Sequence, residues 1–95
     1  MKKLVLAITA ENADAILDGT REAHHRTLPP KELPAKAYLA VVGTGTVVGE
    51  CVLGEREGRT KDGWRLPVTN AKRYRKAKRV SEYGLKKVPR SFVYL

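Results

Sequence analysis

The apolar and polar positions divide the chain into short segments with distinct periods. Leu4-Val5-Leu6-Ala7-Ile8 is a short, unbroken apolar run, partly β-branched, and predicts a buried strand. Thr9 can cap a following helix, and Glu11 places a negative charge in its first turn. Ala13, Ile16 and Leu17 share one helical face, so a helix is expected over about Ala10 to Asp18. Gly19 stands where a left-handed residue ends a helix. Arg21 to Thr27 reads as extended, with Arg21, Ala23, His25 and Thr27 on one side and Glu22, His24 and Arg26 on the other.

Pro29, Pro30 and Pro34 turn the next stretch into a loop. Ala37 to Val42 and Thr46 to Leu53 are apolar runs around Gly43-Thr44-Gly45, the pattern of a hairpin. Gly54 to Gly63 reads as a polar connection. Trp64 to Val68 predicts another strand, with Pro67 placing it at an edge or a bulge. Ala71, Tyr74, Ala77 and Val80 recur every three residues, so local pattern predicts a helical turn over 70–80. Ser91 to Leu95 predicts a closing strand. Together these elements make a β-rich α+β domain with one main helix near the N-terminus, spanning 1–95 as a single unit.

Charge sharpens this picture. The chain carries 19 Lys and Arg against 10 Asp and Glu, a formal net charge of +9. Twelve of the basic residues fall between Arg59 and Arg90, where Asp62 and Glu82 are the only acids. Lys72, Arg73, Arg75, Lys76, Lys78 and Arg79 form the densest run, and Tyr74 lies among them. Cations interleaved with aromatic side chains suit a polyanion, and nucleic acid is the natural candidate. The longest apolar run is far too short to cross a bilayer, so no membrane association is expected. Lys2 and Lys3 before that run imitate a signal peptide, but Glu11, Asn12 and Asp14 interrupt it, and the chain reads as a cytoplasmic protein. The single Cys51, among apolar neighbours, reads as a buried thiol.

Few residues form a chemical motif. Gly43-Thr44-Gly45 with Gly49 lacks the spacing and the following helix of a dinucleotide loop, and hairpin glycines account for it. His24 and His25 leave opposite sides of a strand, and no second His or Cys pair stands at zinc spacing, so neither metal nor cofactor is expected. Glu50 follows Gly49 on a strand, where it can face inward to a site or outward to solvent.

The order of segments resembles the ASCH domain family. The matching stretches are Ile8-Thr9-Ala10-Glu11, Ile16-Leu17-Asp18-Gly19, the strand Thr20 to Arg26, and Val47-Val48-Gly49-Glu50. At the end of the chain, Asn70 to Tyr74, Val80-Ser81-Glu82-Tyr83 and Val88 to Tyr94 resemble the close of short phage and bacterial members. The resemblance implies a PUA-like small mixed β-barrel with the helix packed beside it. It also implies a cleft at the barrel mouth, lined by the strand after Gly19, and ligands such as RNA or modified bases. Under this resemblance residues 70–80 would be a turn leading into a strand, against the helical reading. By position, Arg21 and Arg26 stand at a basic pair of the family motif and suit a phosphate or a carbonyl-rich base edge. The acylcytidine amidohydrolases of the family pair a Lys with a nucleophilic Thr. Here those positions hold Arg21 and His24, and residues 54–63 are too short for their further catalytic Glu, which argues against that activity.

The expectation is a binding module for nucleic acid, RNA favoured over DNA, or for a nucleotide-like ligand. Lys72, Arg73, Arg75, Lys76, Lys78 and Arg79 would follow the phosphate backbone, and a cleft near Arg21, His24, Arg26, Glu50 and Ser91 would take a base. Trp64 and Tyr74 are the candidate stacking platforms. The alternative is a small nuclease or nucleoside hydrolase using the same cleft, with His24 as general acid or base.

Overall fold

The computed structural model describes all residues from Met1 to Leu95. Its elements are β1 (Lys2–Ile8), α1 (Ala10–Leu17), β2 (Ala23–Arg26), β3 (Ala35–Val41), β4 (Thr46–Leu53), β5 (Gly58–Thr60), β6 (Gly63–Arg79), a 3-10 turn (Val80–Tyr83) and β7 (Phe92–Tyr94). The strands form one curled, mixed sheet in the order β2-β6-β4-β3-β1-β7, with β5 also paired to β6. β1 and β3 run parallel, and the remaining pairs are antiparallel. The β-rich fold with one main helix near the N-terminus is the one expected. No helix is long and apolar enough to cross a membrane.

The opening strand and helix follow their local chemistry. From Leu4 onward β1 is buried, since it lies between β3 and β7 with a covering layer on each face. The Thr9 hydroxyl accepts from the Asn12 amide, which caps α1, and Gly19 takes φ +85° just past the helix. Ala13 and Ile16 of α1 pack on one face of the sheet, against Leu4, Leu6, Leu39, Cys51, Leu53 and Leu66. Burial raises the Cys51 thiol to about 12, so it is an apolar core residue rather than a nucleophile. The opposite face carries Val5, Ala40 and Val47, and the chain from Val80 to Val93 folds over it with Val80, Tyr83, Leu85 and Val88. Both faces of this thin sheet are thereby covered.

Gly49 sits where α1, β4 and β6 converge. A Cβ there would lie 2.6 Å from the Lys72 carbonyl oxygen and 2.8 Å from a Leu17 methyl. The absence of a side chain allows α1 and β6 to approach β4 together.

Three expectations need correction. Residues 70–79 form no helical turn: they extend β6, which runs unbroken for 17 residues. Ladder bonds to β4 prevail over the period-three pattern, which instead coincides with bulges. One extra β6 residue is accommodated near Asn70, at φ 52°, where Thr69 pairs with Val52 and Lys72 with Glu50. Between Arg73 and Lys78 a longer bulge lets five steps of β6 span the two from Gly49 to Val47. The polar connection from Gly54 to Gly63 contains β5, which pairs back on β6 across the turn Thr60–Gly63. Pro67, finally, lies inside a long strand, at the last position of the β2 ladder opposite Ala23. Its carbonyl accepts from the Gly54 amide, and the missing N–H interrupts no required bond.

Candidate functional site

β2 and β7 are the two ends of the sheet, and the barrel is not closed by strand pairing between them. A side chain spans the seam instead. Arg26, the last residue of β2, donates from Nη2 to the Ser91 hydroxyl, one residue before β7. Its Nη1 lies 3.1 Å from Nε2 of His24, on the same side of β2. A guanidinium has only donors, so His24 Nε2 is the acceptor and its proton sits on Nδ1. His24 is 7 % exposed. Burial first, then the positive charge of Arg26, pushes its pKa down to about 4, so at neutral pH it is an uncharged prop for the guanidinium. Desolvation also lowers the pKa of Arg26, but a guanidinium stays charged. The half-buried Arg26 is therefore a fixed cation held from two sides.

The surroundings of Arg26 form a two-part cleft. One part is a polar mouth of about 360 Å³ bounded by His25, Arg26, Thr27, Asp62 and Ser91. The other, about 730 Å³, is lined by Leu28, Pro29, Arg56, Ser91, Phe92 and Tyr94 and is more apolar. Leu28 and Ser91 border both. Phe92 and Tyr94 meet edge to face at 5.7 Å, and the Tyr94 hydroxyl accepts from the Glu32 amide. The β5–β6 turn seals the Arg26 side. Gly63, at φ +111°, lies so close that a Cβ would be 2.6 Å from the Arg26 carbonyl.

The remaining candidate residues separate into other places. Arg21 bonds Asn12 of α1 and borders a shallow opening with Glu22, His25 and Arg65, apart from Arg26. Arg21 precedes β2, which begins at Ala23, and its side chain is drawn to α1 by Asn12. Trp64 pairs across the ladder with Arg26, is half-buried, and lies under the Arg56 guanidinium at 5.3 Å. Glu50 and Tyr74 meet on the second face of the sheet and share no bond with Arg26. The Tyr74 hydroxyl donates to Glu50 at 2.8 Å, and Lys36 reaches the other carboxylate oxygen at 3.0 Å. Although partial burial opposes it, the bonds from Lys36 and Tyr74 hold the Glu50 carboxyl below its usual pKa. Arg73 is tied to Asp14 of α1. Lys72, Arg75, Lys76, Lys78 and Arg79 are exposed and have no ion-paired carboxylate, and Lys78 lies over the Tyr74 ring at 4.9 Å. β6 bears them where its second edge, beyond Val68, has no strand beside it.

Sequence reasoning missed Phe92, Tyr94 and Arg56 as cleft residues, and Lys36 as the partner of Glu50. Phe92 and Tyr94 alternate in the closing strand, and their spacing was the available signal. Lys36 gave none, because a bulge between Leu39 and Ala40 shifts the hairpin register. A count outward from the turn would place Tyr38 opposite Gly49, whereas it lies opposite Glu50.

No family model matches this chain, and no curated protein sequence does. Its fold is similar to that of solved crystal structures of an ASCH protein from Zymomonas mobilis. The parent structure aligns at a TM-score of 0.77 and 16% identity, covering 99% of this chain and 87% of that one. Two mutants of that protein align at TM-scores of 0.78 and 14% identity, covering 99% and 100% of this chain and 88% and 91% of theirs. The chain has an ASCH-type, PUA-like fold.

Proposed function

We propose that this ASCH-type domain binds nucleic acid, RNA in preference to DNA, or a nucleotide-like ligand. The seam cleft receives a base or nucleotide and the open edge of β6 follows the phosphate backbone. The observation that carries this reading is the row of unpaired cations on that edge: Lys72, Arg75, Lys76, Lys78 and Arg79. Such a row supplies the counterion-releasing contacts of backbone binding. Arg26 offers a fixed guanidinium to a phosphate or to a base edge, and Phe92 and Tyr94 offer aromatic surface beside it. Cys51, a free thiol, fits the cytoplasmic setting of this reading. His24 contributes by holding Arg26. Neutral, buried and already engaged, it is poorly disposed to shuttle protons, which places the binding reading ahead of the hydrolytic one.

Fluorescence anisotropy with labelled single-stranded RNA, single-stranded DNA and duplex DNA over a salt series tests this. For single strands the affinity should fall with a log–log slope of about −0.7 per phosphate contacted, so four contacts give about −3. Arg26→Ala should weaken binding about tenfold with a smaller change in slope than loss of the β6 cations. Binding that ignores salt would remove the β6 edge as the contact.

A further inference from the structure

A second groove lies away from the seam, between the β3–β4 turn and the segment that follows β6. It encloses about 750 Å³ and is bordered by Val42 to Thr46 on one side and by Arg79, Ser81, Lys86 and Lys87 on the other. Three features describe what it can hold. Arg79, Lys86 and Lys87 are exposed, and none is ion-paired. No carboxylate lines the groove. Glu82, the one acid in this stretch, accepts from the Arg79 amide through Oε2. No aromatic side chain lines it either, so it has no platform for a base.

The walls are held in place. The Val80 amide donates to the Gly45 carbonyl at 3.1 Å, joining the two sides at the base of the groove. Thr44 donates its hydroxyl proton to the Val41 carbonyl, so the 2.7 Å contact between the Thr44 and Thr46 hydroxyls uses the proton of Thr46. Gly43 and Gly45, at φ +87° and +71°, allow the tight turn. Leu85 and Val88 anchor the Lys86 and Lys87 segment to the second face of the sheet. Three like charges on a short, anchored stretch repel one another unless an anion lies between them.

We infer that this groove is a binding site for closely spaced phosphate groups, read by charge and not by base. The ligand class is a polyphosphate chain or consecutive backbone phosphates of an oligonucleotide. The site stands independently of the seam and of whatever the seam accepts. Arg79 is also the last residue of β6, so a backbone tracked along that strand would run into the groove.

The test compares wild type with Lys86→Gln/Lys87→Gln and with Lys3→Gln/Lys61→Gln, a pair that removes the same charge elsewhere on the surface. Tripolyphosphate, oligo-uridylate and oligo-adenylate are titrated against each by calorimetry. The groove pair should lose at least tenfold in tripolyphosphate affinity and the control pair less than threefold. Equal losses in the two double variants would overturn the assignment, since the effect would then be net charge alone. Retained affinity in the groove pair, or no tripolyphosphate binding by wild type, would overturn it as well. If the groove pair also weakens oligo-uridylate and oligo-adenylate alike, the phosphates are those of a polynucleotide. If tripolyphosphate binds through the groove while neither oligonucleotide binds, the phosphate site stands, its source is a free polyphosphate, and the nucleic-acid reading fails separately.

Discussion

His24 makes the stability of the fold depend on pH in a calculable way. Its pKa falls from 6.5 to about 4 on folding, because burial and the Arg26 charge oppose protonation. The unfolded chain therefore takes up a proton below 6.5 that the folded chain refuses until about 4. A depressed histidine pKa stabilises the fold fully above the unfolded value, and that stability drains away as pH falls towards the folded one. At 1.36 kcal/mol per pKa unit, the total is about 3 kcal/mol, of which about 2 kcal/mol disappears between pH 7 and pH 5. For a chain of this size that loss corresponds to a fall of about 1–2 M in the urea midpoint. The informative variant is His24→Gln, whose carbonyl oxygen can accept the Arg26 bond and does not titrate. Urea unfolding at pH 7 and pH 5 should give a large shift in wild type and a much smaller one in the variant. Equal shifts in the two proteins would refute the reasoning, as would an imidazole resonance of His24 titrating near 6.5 in the folded state.

Two further perturbations probe geometry alone. Gly63→Ala adds a Cβ 2.6 Å from the Arg26 carbonyl at a φ of +111°, so strain and overlap together should cost about 2–4 kcal/mol and lower Tm by at least about 10 °C. An unchanged melting temperature would mean that the β5–β6 turn does not press on Arg26. Tyr74→Phe removes the bond to Glu50 and should cost about 1 kcal/mol in urea unfolding. Unchanged stability would show that this bond adds nothing to the fold.

Legibility followed the range of the interactions. β1, α1 and the β3–β4 hairpin were readable because their signals lie within a few residues: the Leu4–Ile8 run, the Thr9 cap, and the glycines of the turn. β6 was not. Its second half is extended because β4 offers a ladder, and the bulges near Asn70 and between Arg73 and Lys78 erase the two-residue alternation that would reveal a strand. β5 has three residues and exists only as a partner of β6. In the site, the alternation expected over residues 21–27 put Arg21 and Arg26 on opposite sides; Arg21 lies before β2 and bonds Asn12, while Arg26 bonds Ser91 across the seam. Glu50 did not join them. Its neighbour Lys36 is set by a bulge that no local pattern records.

The position of Arg26 follows from an unsolved problem in closing the sheet. β2, with four residues, pairs only with β6, and β7, with three, only with β1, so the seam between them has no ladder. Edge strands left in this way invite unwanted pairing unless a charge or a covering segment blocks them. Arg26 answers that need by spanning the gap to Ser91, and His24 beneath it fixes the guanidinium without adding a charge. A residue placed to close a barrel is held by few bonds on its outer side, so the guanidinium remains open to an anion. The long free edge of β6 meets the same need differently, with lysines and arginines along it. Both edges are thus kept from pairing by cations. The cations at these two edges are the ones assigned to the proposed phosphate-bearing ligand, and the salt series separates edge protection from binding. Cations that serve only to block the edge would leave oligonucleotide binding weak and unaffected by Arg26→Ala.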